Sequence, residues 1–392
     1  MSIARTLKIS EFCKTGSGGT PSRKMPSYYE NGNIPWVKSG ELRENLILDT
    51  GEKITEEALQ KSSAKIVPKG SLLLAMYGAT VGRLAFLGID AATNQAVCNI
   101  QPDEKICFPK YLYYALLRKV PEFLNMATGG AQPNISQGLI KDTKILLPTV
   151  EEQKRIAAAL DKADAIRRKR QQAIDLTDQL LRSVFLDMFG DPVNNPKSFE
   201  HGKIGNLLER VNYGTSAKAG KEGKYPILRM NNITYGGGWK LDDLKYIDMD
   251  ERELKKYTAE PGDILFNRTN SKELVGKTAV FRENTPYVFA GYLVRSKVNS
   301  LATPEYISGY LNSTHGKMTL QSMCKNIVGM ANINAKEYQA INILIPPIED
   351  QRKYSSIVEY CRNKTSSYQG MLEKTNDLFN ALSQRAFKGE LH

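Results

Sequence analysis

Side chains able to pair with the edge of a nucleic-acid base gather in six short stretches of this sequence, three in each half. In the first half they are Lys38, Ser39 and Arg43, then Tyr77-Gly78-Ala79-Thr80 with Arg83, then Gln132 with Asn134. In the second they are Arg229, Asn231 and Asn232, then Asn267-Arg268-Thr269-Asn270-Ser271 with Lys277, then Lys325 and Asn326 with Asn332. Arg and Lys offer the donors that fit guanine's two acceptors; Asn and Gln offer the donor beside an acceptor that fits adenine. The ordinary alternative for each residue is a turn position or a phosphate anchor, because over half of protein–DNA hydrogen bonds go to the backbone. Asn134 and Asn332 hold matching positions in the two halves, which marks them as structural, and Trp36 reads as core.

The overall charge agrees with a polyanionic partner. The 392 residues carry 54 Lys and Arg against 42 Asp and Glu, a formal charge of +12, and each phosphate contact made by such a chain releases a counterion. Catalytic chemistry has little to work with. Three histidines and five scattered cysteines, none at metal-ligand spacing, argue against a metal centre, and the thiols read as reduced. Gly276-Lys277-Thr278 mimics the end of a phosphate-binding loop, but the earlier glycine that loop requires is Ser271. The sequence holds no Asn-Pro-Pro-Tyr or Asp-Pro-Pro-Tyr methylation motif, no glycine-rich cofactor fingerprint and no catalytic triad. It has no apolar run of membrane-spanning length and no secretory signal, so a cytoplasmic protein without a membrane partner is expected.

The elements that must position these stretches are written twice. Leu147-Pro148-Thr149-Val150-Glu151-Glu152-Gln153 answers to Ile345-Pro346-Pro347-Ile348-Glu349-Asp350-Gln351, a shift of 198 that also carries Asn134 onto Asn332 and Phe189 onto Phe387. Upstream the shift drifts while the landmarks stay in order. Ile34-Pro35-Trp36-Val37 matches Tyr225-Pro226-Ile227-Leu228, Lys69-Gly70-Ser71 matches Pro261-Gly262-Asp263, and Val81-Gly82-Arg83 matches Val275-Gly276-Lys277. Each half contains β-like runs (Ser71 to Tyr77 and Ala96 to Gln101; Gly262 to Phe266 and Tyr287 to Val294) and an amphipathic helix opening at Pro109 or Pro304. Each then ends in a long helix, 149 to 189 and 348 to 387, of about 60 Å at 1.5 Å per residue.

Apolar seams on those helices call for mutual packing as an antiparallel coiled coil. The expected seams are Ile156, Leu160, Ala163, Ile166, Ile174, Leu180, Leu181, Val184 and Met188, and Ile357, Val358, Cys361, Leu372, Leu378, Phe379 and Leu382. The basic run Arg167-Arg168-Lys169-Arg170 reads as a solvated face with Asp164 paired to Arg168. The expected fold class is α+β: two globular parts, two long antiparallel helices and a pseudo-twofold repeat.

This order resembles the specificity subunit of type I restriction-modification systems over essentially the whole chain. The resemblance rests on the Leu-Pro-x-x-Glu-Glu-Gln helix entrance and on Gly18-Gly19-Thr20-Pro21-Ser22 followed by Ile34-Pro35-Trp36-Val37. The second half departs from it, with Tyr213-Gly214-Thr215 and no matching tryptophan, which implies two recognition domains of different subtype. The resemblance implies target-recognition domains at 1–148 and 191–346 and spacer helices at 149–190 and 347–392. It also implies that each domain reads half of a split, asymmetric target in double-stranded DNA while the helices set the gap and dock two methyltransferase subunits. Restriction-translocase subunits would join that core. S-adenosylmethionine, ATP and Mg would sit on the partner chains and none on this one. The alternatives are a divergent nuclease or ATPase acting on nucleic acid, or an orphan DNA-binding scaffold.

Overall fold

The structure is a computed structural model that describes residues 4–44, 46–127, 133–324 and 330–390; Gln132, Lys325 and Asn326 lie outside them. It divides into two units, Met1–Lys169 with Met371–His392, and Arg170–Gly370.

In the first unit the chain runs β1 (Arg5–Lys8), α1 (Ile9–Phe12), β2 (Cys13–Ser17), β3 (Ile34–Val37), β4 (Leu46–Ile47), β5 (Lys53–Ile54), α2 (Glu56–Gln60), β6 (Ile66–Val67), β7 (Leu72–Ala75), β8 (Leu84–Leu87), β9 (Ala91–Thr93), β10 (Val97–Pro102), α3 (Pro109–Met126), α4 (Gln137–Asp142) and β11 (Lys144–Leu147) before entering α5 (Val150–Phe189). Its two main sheets have the orders β2-β10-β7-β8-β4 and β5-β3-β9-β6, and β1 pairs with β11. β7 is buried on both faces because its side chains alternate. Leu72 and Leu74 join the core under α3, with Tyr111, Leu112 and Leu116, while Leu73 and Ala75 face Val37, Val67 and Ala91 of the second sheet.

The second unit repeats this plan, without a counterpart of β4 and with an added two-stranded ladder, Thr269–Asn270 on Ala331–Asn332. It runs β12 (Glu200–Lys203), β13 (Leu208–Tyr213), β14 (Tyr225–Leu228), β15 (Lys245–Ile247), α6 (Glu251–Tyr257), β16 (Thr258–Ala259), β17 (Ile264–Asn267), β18 (Thr269–Asn270), β19 (Thr278–Val280), β20 (Tyr287–Phe289), β21 (Leu293–Val298), α7 (Pro304–Asn312), α8 (Thr314–Met323), β22 (Ala331–Asn332), α9 (Ala335–Gln339), β23 (Asn342–Ile345) and into α10 (Ile348–Phe387). The sheets are β13-β21-β17-β19 and β15-β14-β20-β16, with β12 on β23. Even the parallel pairing recurs: Trp36↔Ala92 in one unit and Ile227↔Val288 in the other. The run Tyr287 to Val294, expected as one strand, is two. The chain leaves β20 at Ala290, where Thr215 N–H donates to Phe289 O and Gly291 N–H to Thr215 O, and re-enters the other sheet as β21.

The helix entrance is a clamp. Gln153 is fully buried; its Oε1 accepts from Phe108 N–H at 2.7 Å and its Nε2 donates to the carbonyls of Ile106 (3.0 Å) and Pro148 (2.9 Å). Gln351 does the same, accepting from Thr303 N–H at 2.9 Å and donating to Leu301 (3.0 Å) and Pro346 (2.8 Å). The motif therefore fixes each long helix to the segment that leads into α3 or α7. The opposite ends of the two helices meet within each unit. Phe387 packs on Tyr111 at 5.1 Å in the first, and Phe189 on Tyr306 at 4.8 Å in the second, so residues matched by the shift of 198 do the same job.

Three expected seam residues are exposed: Ile166 (48%), Leu180 (51%) and Leu378 (55%). The buried face follows Ile156, Leu160 and Ala163 and continues at Arg167, whose guanidinium lies 5.2 Å from the Phe379 ring, which leaves Ile166 off the stripe. The expected Phe379 is buried and the expected Leu181 half-buried, and Thr375, outside the expected seam, is buried with them. Asp164 does accept from Arg168, at 2.6 Å, and also from Arg167, at 2.7 Å.

Candidate nucleic-acid interface

In the first unit the three stretches expected to carry contacts come together. Tyr77 leaves β7 and forms an antiparallel bridge with Asn134, while Gly78 N–H donates to Pro133 and Ile135 N–H to Met76. The turn closes on Gly82 at φ +83°, where a side chain would also strike Val120. Glu44 N–H donates to Leu84 at 2.8 Å, which brings the stretch after β3 beside Arg83. Tyr77, Arg43 and Arg83 are exposed; Lys38, Ser39 and Thr80 are half-buried. Arg83 has no side-chain partner among the described residues, whereas Arg43 is held to the Gly40 carbonyl. Lys38 forms an ion pair with Glu52 at 3.0 Å. Hydrogen bonds from Arg23 and then Lys38 pull the Glu52 carboxyl down to about 2, so the Lys38 charge is largely answered inside the protein.

The second unit builds the same cluster with other residues. The short β18–β22 ladder pairs Thr269 with Asn332, as Tyr77 pairs with Asn134, and Ile333 N–H donates to Arg268 as Ile135 does to Met76. Positions occupied by Ala75, Met76, Tyr77, Gly78 and Ala79 in one unit hold Asn267, Arg268, Thr269, Asn270 and Ser271 in the other. The Arg268 guanidinium lies over the Tyr213 ring at 4.8 Å, with long bonds to the Gly291 carbonyl (3.4 Å) and Asn332 Oδ1 (3.5 Å). Tyr213 was missed in the sequence, where its only signal is an aromatic residue beside the strand-ending Gly214. Asn134 and Asn332 hold matching places at this pairing, whose bonds are made by their neighbours: Pro133 and Ile135 in one unit, Ile333 in the other.

Five expected contacts are turned inward instead: Lys277, Asn232, Asn267 and Asn270 are buried, and Arg229 is half-buried. Lys277 is 6% exposed and donates to the carbonyls of Met230 (2.7 Å) and Ile233 (2.6 Å); burial lowers its pKa. Asn232 is 1% exposed and saturated, accepting from Arg229 N–H and donating to the carbonyls of Lys240 and Asp243. Arg229 reaches back to Asp243 at 3.2 Å. Asn267 is fully buried. A sequence stretch rich in polar residues does not distinguish side chains that present themselves from those that tie a loop down, and here loop closure takes Lys277, Asn232 and Arg229. Asn231 stays exposed and, with Asn232, Lys240, Asp243 and Lys277, lines a polar cavity of about 320 Å³.

Trp36 is core: it is 2% exposed and donates from Nε1 to Gly19 O at 3.1 Å. Gly18 is pressed so closely on Thr93 that a Cβ would lie 2.0 Å from its carbonyl oxygen, and Gly214 meets Ala290 the same way at 2.3 Å. The glycine-rich signature thus packs the two sheets together. Gly276-Lys277-Thr278 feeds a strand, β19, and not the helix that a phosphate-binding loop opens. Among the described residues no group of three or more His, Cys, Asp or Glu could hold a metal ion, and no helix is long and apolar enough to cross a membrane.

The family model described as "Type I restriction modification DNA specificity domain" matches residues 4–176 and again 196–374. The chain belongs to that family. It is a DNA-specificity subunit of the type I restriction class, a recognition chain and not a catalytic one. Among curated relatives, it is 26% identical to the type I restriction enzyme MjaIX specificity subunit of Methanocaldococcus jannaschii, over 98% of this chain and 92% of that protein. It is 23% identical to the EcoKI specificity subunit of Escherichia coli strain K12, over 93% and 84%. The fold is that of the S subunit of a type I restriction-modification system from M. genitalium, at a TM-score of 0.59 and 15% identity over 98% of this chain and 96% of the other. Both family matches fall on the repeat that the sequence shows.

Proposed function

We propose that each unit of this specificity subunit reads one half of a bipartite, asymmetric target in double-stranded DNA, through the face built from the stretch after β3 or β14, the β7–β8 or β17–β19 turn, and the segment at 133–135 or 331–333. The observation that carries this is the contrast within the repeat. The shared strands keep one order and the same pairing holds the turn in both units, while the residues on the turn differ at every position: Ala75 to Ala79 against Asn267 to Ser271. A shared frame with divergent tips is what two readers of different half-sites need. Arg83, Tyr77, Asn231 and Arg268 are the principal readers, and Lys38, Ser39, Arg43, Thr80, Thr269 and Ser271 flank them.

The two unbroken forty-residue helices set the gap between half-sites and dock two methyltransferase subunits; restriction-translocase subunits join that core. S-adenosylmethionine, ATP and Mg act on those partner chains, and the complex works in the cytoplasm. The test is to co-express this chain with its methyltransferase subunit in an unmodified host and map the methylated bases. A single split motif with a fixed gap, lost when this chain is omitted, is expected. Methylation that ignores the presence of this chain refutes the proposal.

A further inference from the structure

The β17–β19 turn holds an unusual set of unanswered groups. Asn267 Nδ2, Arg268 Nε and Asn270 Nδ2 are all buried and find no hydrogen-bond partner among the described residues. Asn267 is 0% and Asn270 8% exposed. Their oxygens are already used: Asn267 Oδ1 accepts from Thr269 N–H at 3.3 Å, and Asn270 Oδ1 from Ser271 N–H at 2.9 Å. Only N–H groups remain, three of them on four successive residues. A buried donor without a partner destabilises the chain that contains it.

The frame does not require them. In the first unit the same backbone bonds form around Ala75, Met76 and Gly78, which have no polar side-chain atom to leave unpaired. The β17 side of the turn is anchored, with Asn267 N–H donating to Lys277 O and Gly276 N–H to Asn267 O, but past Arg268 the ladder between β18 and β22 is only two residue pairs long. A loop with buried, unpaired donors and a short ladder is one that can open when an acceptor arrives.

We infer that the 267–271 turn reorganises on binding and delivers these three donors to an acceptor-only edge of the DNA, either guanine O6 and N7 or phosphate oxygens. An acceptor-only edge is favoured over adenine, because the unpaired groups are all donors while each amide oxygen already accepts one bond. The inference rests on the half-site reading proposed above.

The test uses the assembled complex with the methyltransferase subunit, on the target found by methylation mapping, comparing Asn267→Ala and Asn270→Ala with the wild type. Asn267→Ala installs the residue that the other unit already uses. The expected result is a thermal midpoint raised by a few degrees in both variants, together with target affinity lowered roughly ten- to hundred-fold. 7-Deazaguanine in the second half-site, by removing N7, reproduces the loss in the wild type and adds little in the variants if guanine is the acceptor. Methylphosphonate does so if phosphate is. Variants that lose stability, or that bind the split target as the wild type does, overturn the inference while leaving half-site reading intact. A wild-type motif that proves to be one uninterrupted block overturns both.

Discussion

Gln351 offers the sharpest test of how the recognition unit is joined to its helix. The side chain is fully buried and makes three hydrogen bonds, from Thr303 N–H and to the carbonyls of Leu301 and Pro346. Gln351→Met keeps nearly the same volume and removes all three. Each bond contributes about 1 kcal/mol net, and each backbone group left unanswered in the interior costs about 1–3 kcal/mol. With one of the three groups finding water, two stay unanswered and the loss comes to about 2–6 kcal/mol, a large part of the ~5–15 kcal/mol that holds a typical domain. Urea titration followed by circular dichroism should show a transition moved to markedly lower denaturant in Gln351→Met. Gln153→Met should produce a comparable loss through the first unit. A change below about 1 kcal/mol in both would refute the clamp and return the motif to an unexplained sequence signature.

Other outcomes follow from single contacts. Gly18→Ala would place a methyl 2.0 Å from the Thr93 carbonyl and should cost roughly 3 kcal/mol or prevent folding, whereas Gly40→Ala, with nothing within 4 Å, should be tolerated; thermal melts separate the two. Arg83→Ala should leave stability unchanged and reduce the salt dependence of DNA binding by about one counterion. Lys277→Met should instead lower stability and leave the salt slope intact, because its ammonium is spent on two carbonyls. Lys317 is 8% exposed and bonded to Asn312; burial first, then the charges of Lys277 and Arg182, lower its pKa from 10.5 to about 8. Between those values the unfolded chain binds the extra proton, so stability attributable to this group rises with pH across that window. The stability difference between wild type and Lys317→Met should therefore shift by about 2 kcal/mol in favour of the wild type from pH 7.5 to pH 10, and a flat difference would show that the amine is not desolvated.

The frame of this protein was open to reading because it is repeated. A shift that carries Gln153 onto Gln351 and Phe189 onto Phe387 reports two copies of one set of contacts, and the structure gives both pairs the same partners in kind. The proline-opened helices and the β7 and β17 strands were legible from period and length. The helix seams were less so, since Ile166 and Leu378 are as apolar as their buried neighbours and only the facing surface decides which is covered. The structure brings the described parts of the polar stretches together in each unit, but composition did not sort their side chains into exposed and buried. Burial of Asn232 and Lys277 depends on carbonyls contributed from 8 to 47 residues away, which local composition does not encode.

The central claim is that the two units read independently through one frame. The most direct measurement exchanges residues 196–346 for the equivalent region of a family member with a different target, keeps both long helices, and maps methylation by the resulting complex. One half of the motif should change, with the other half and the gap preserved. A motif altered in both halves, or in its spacing, would contradict the account.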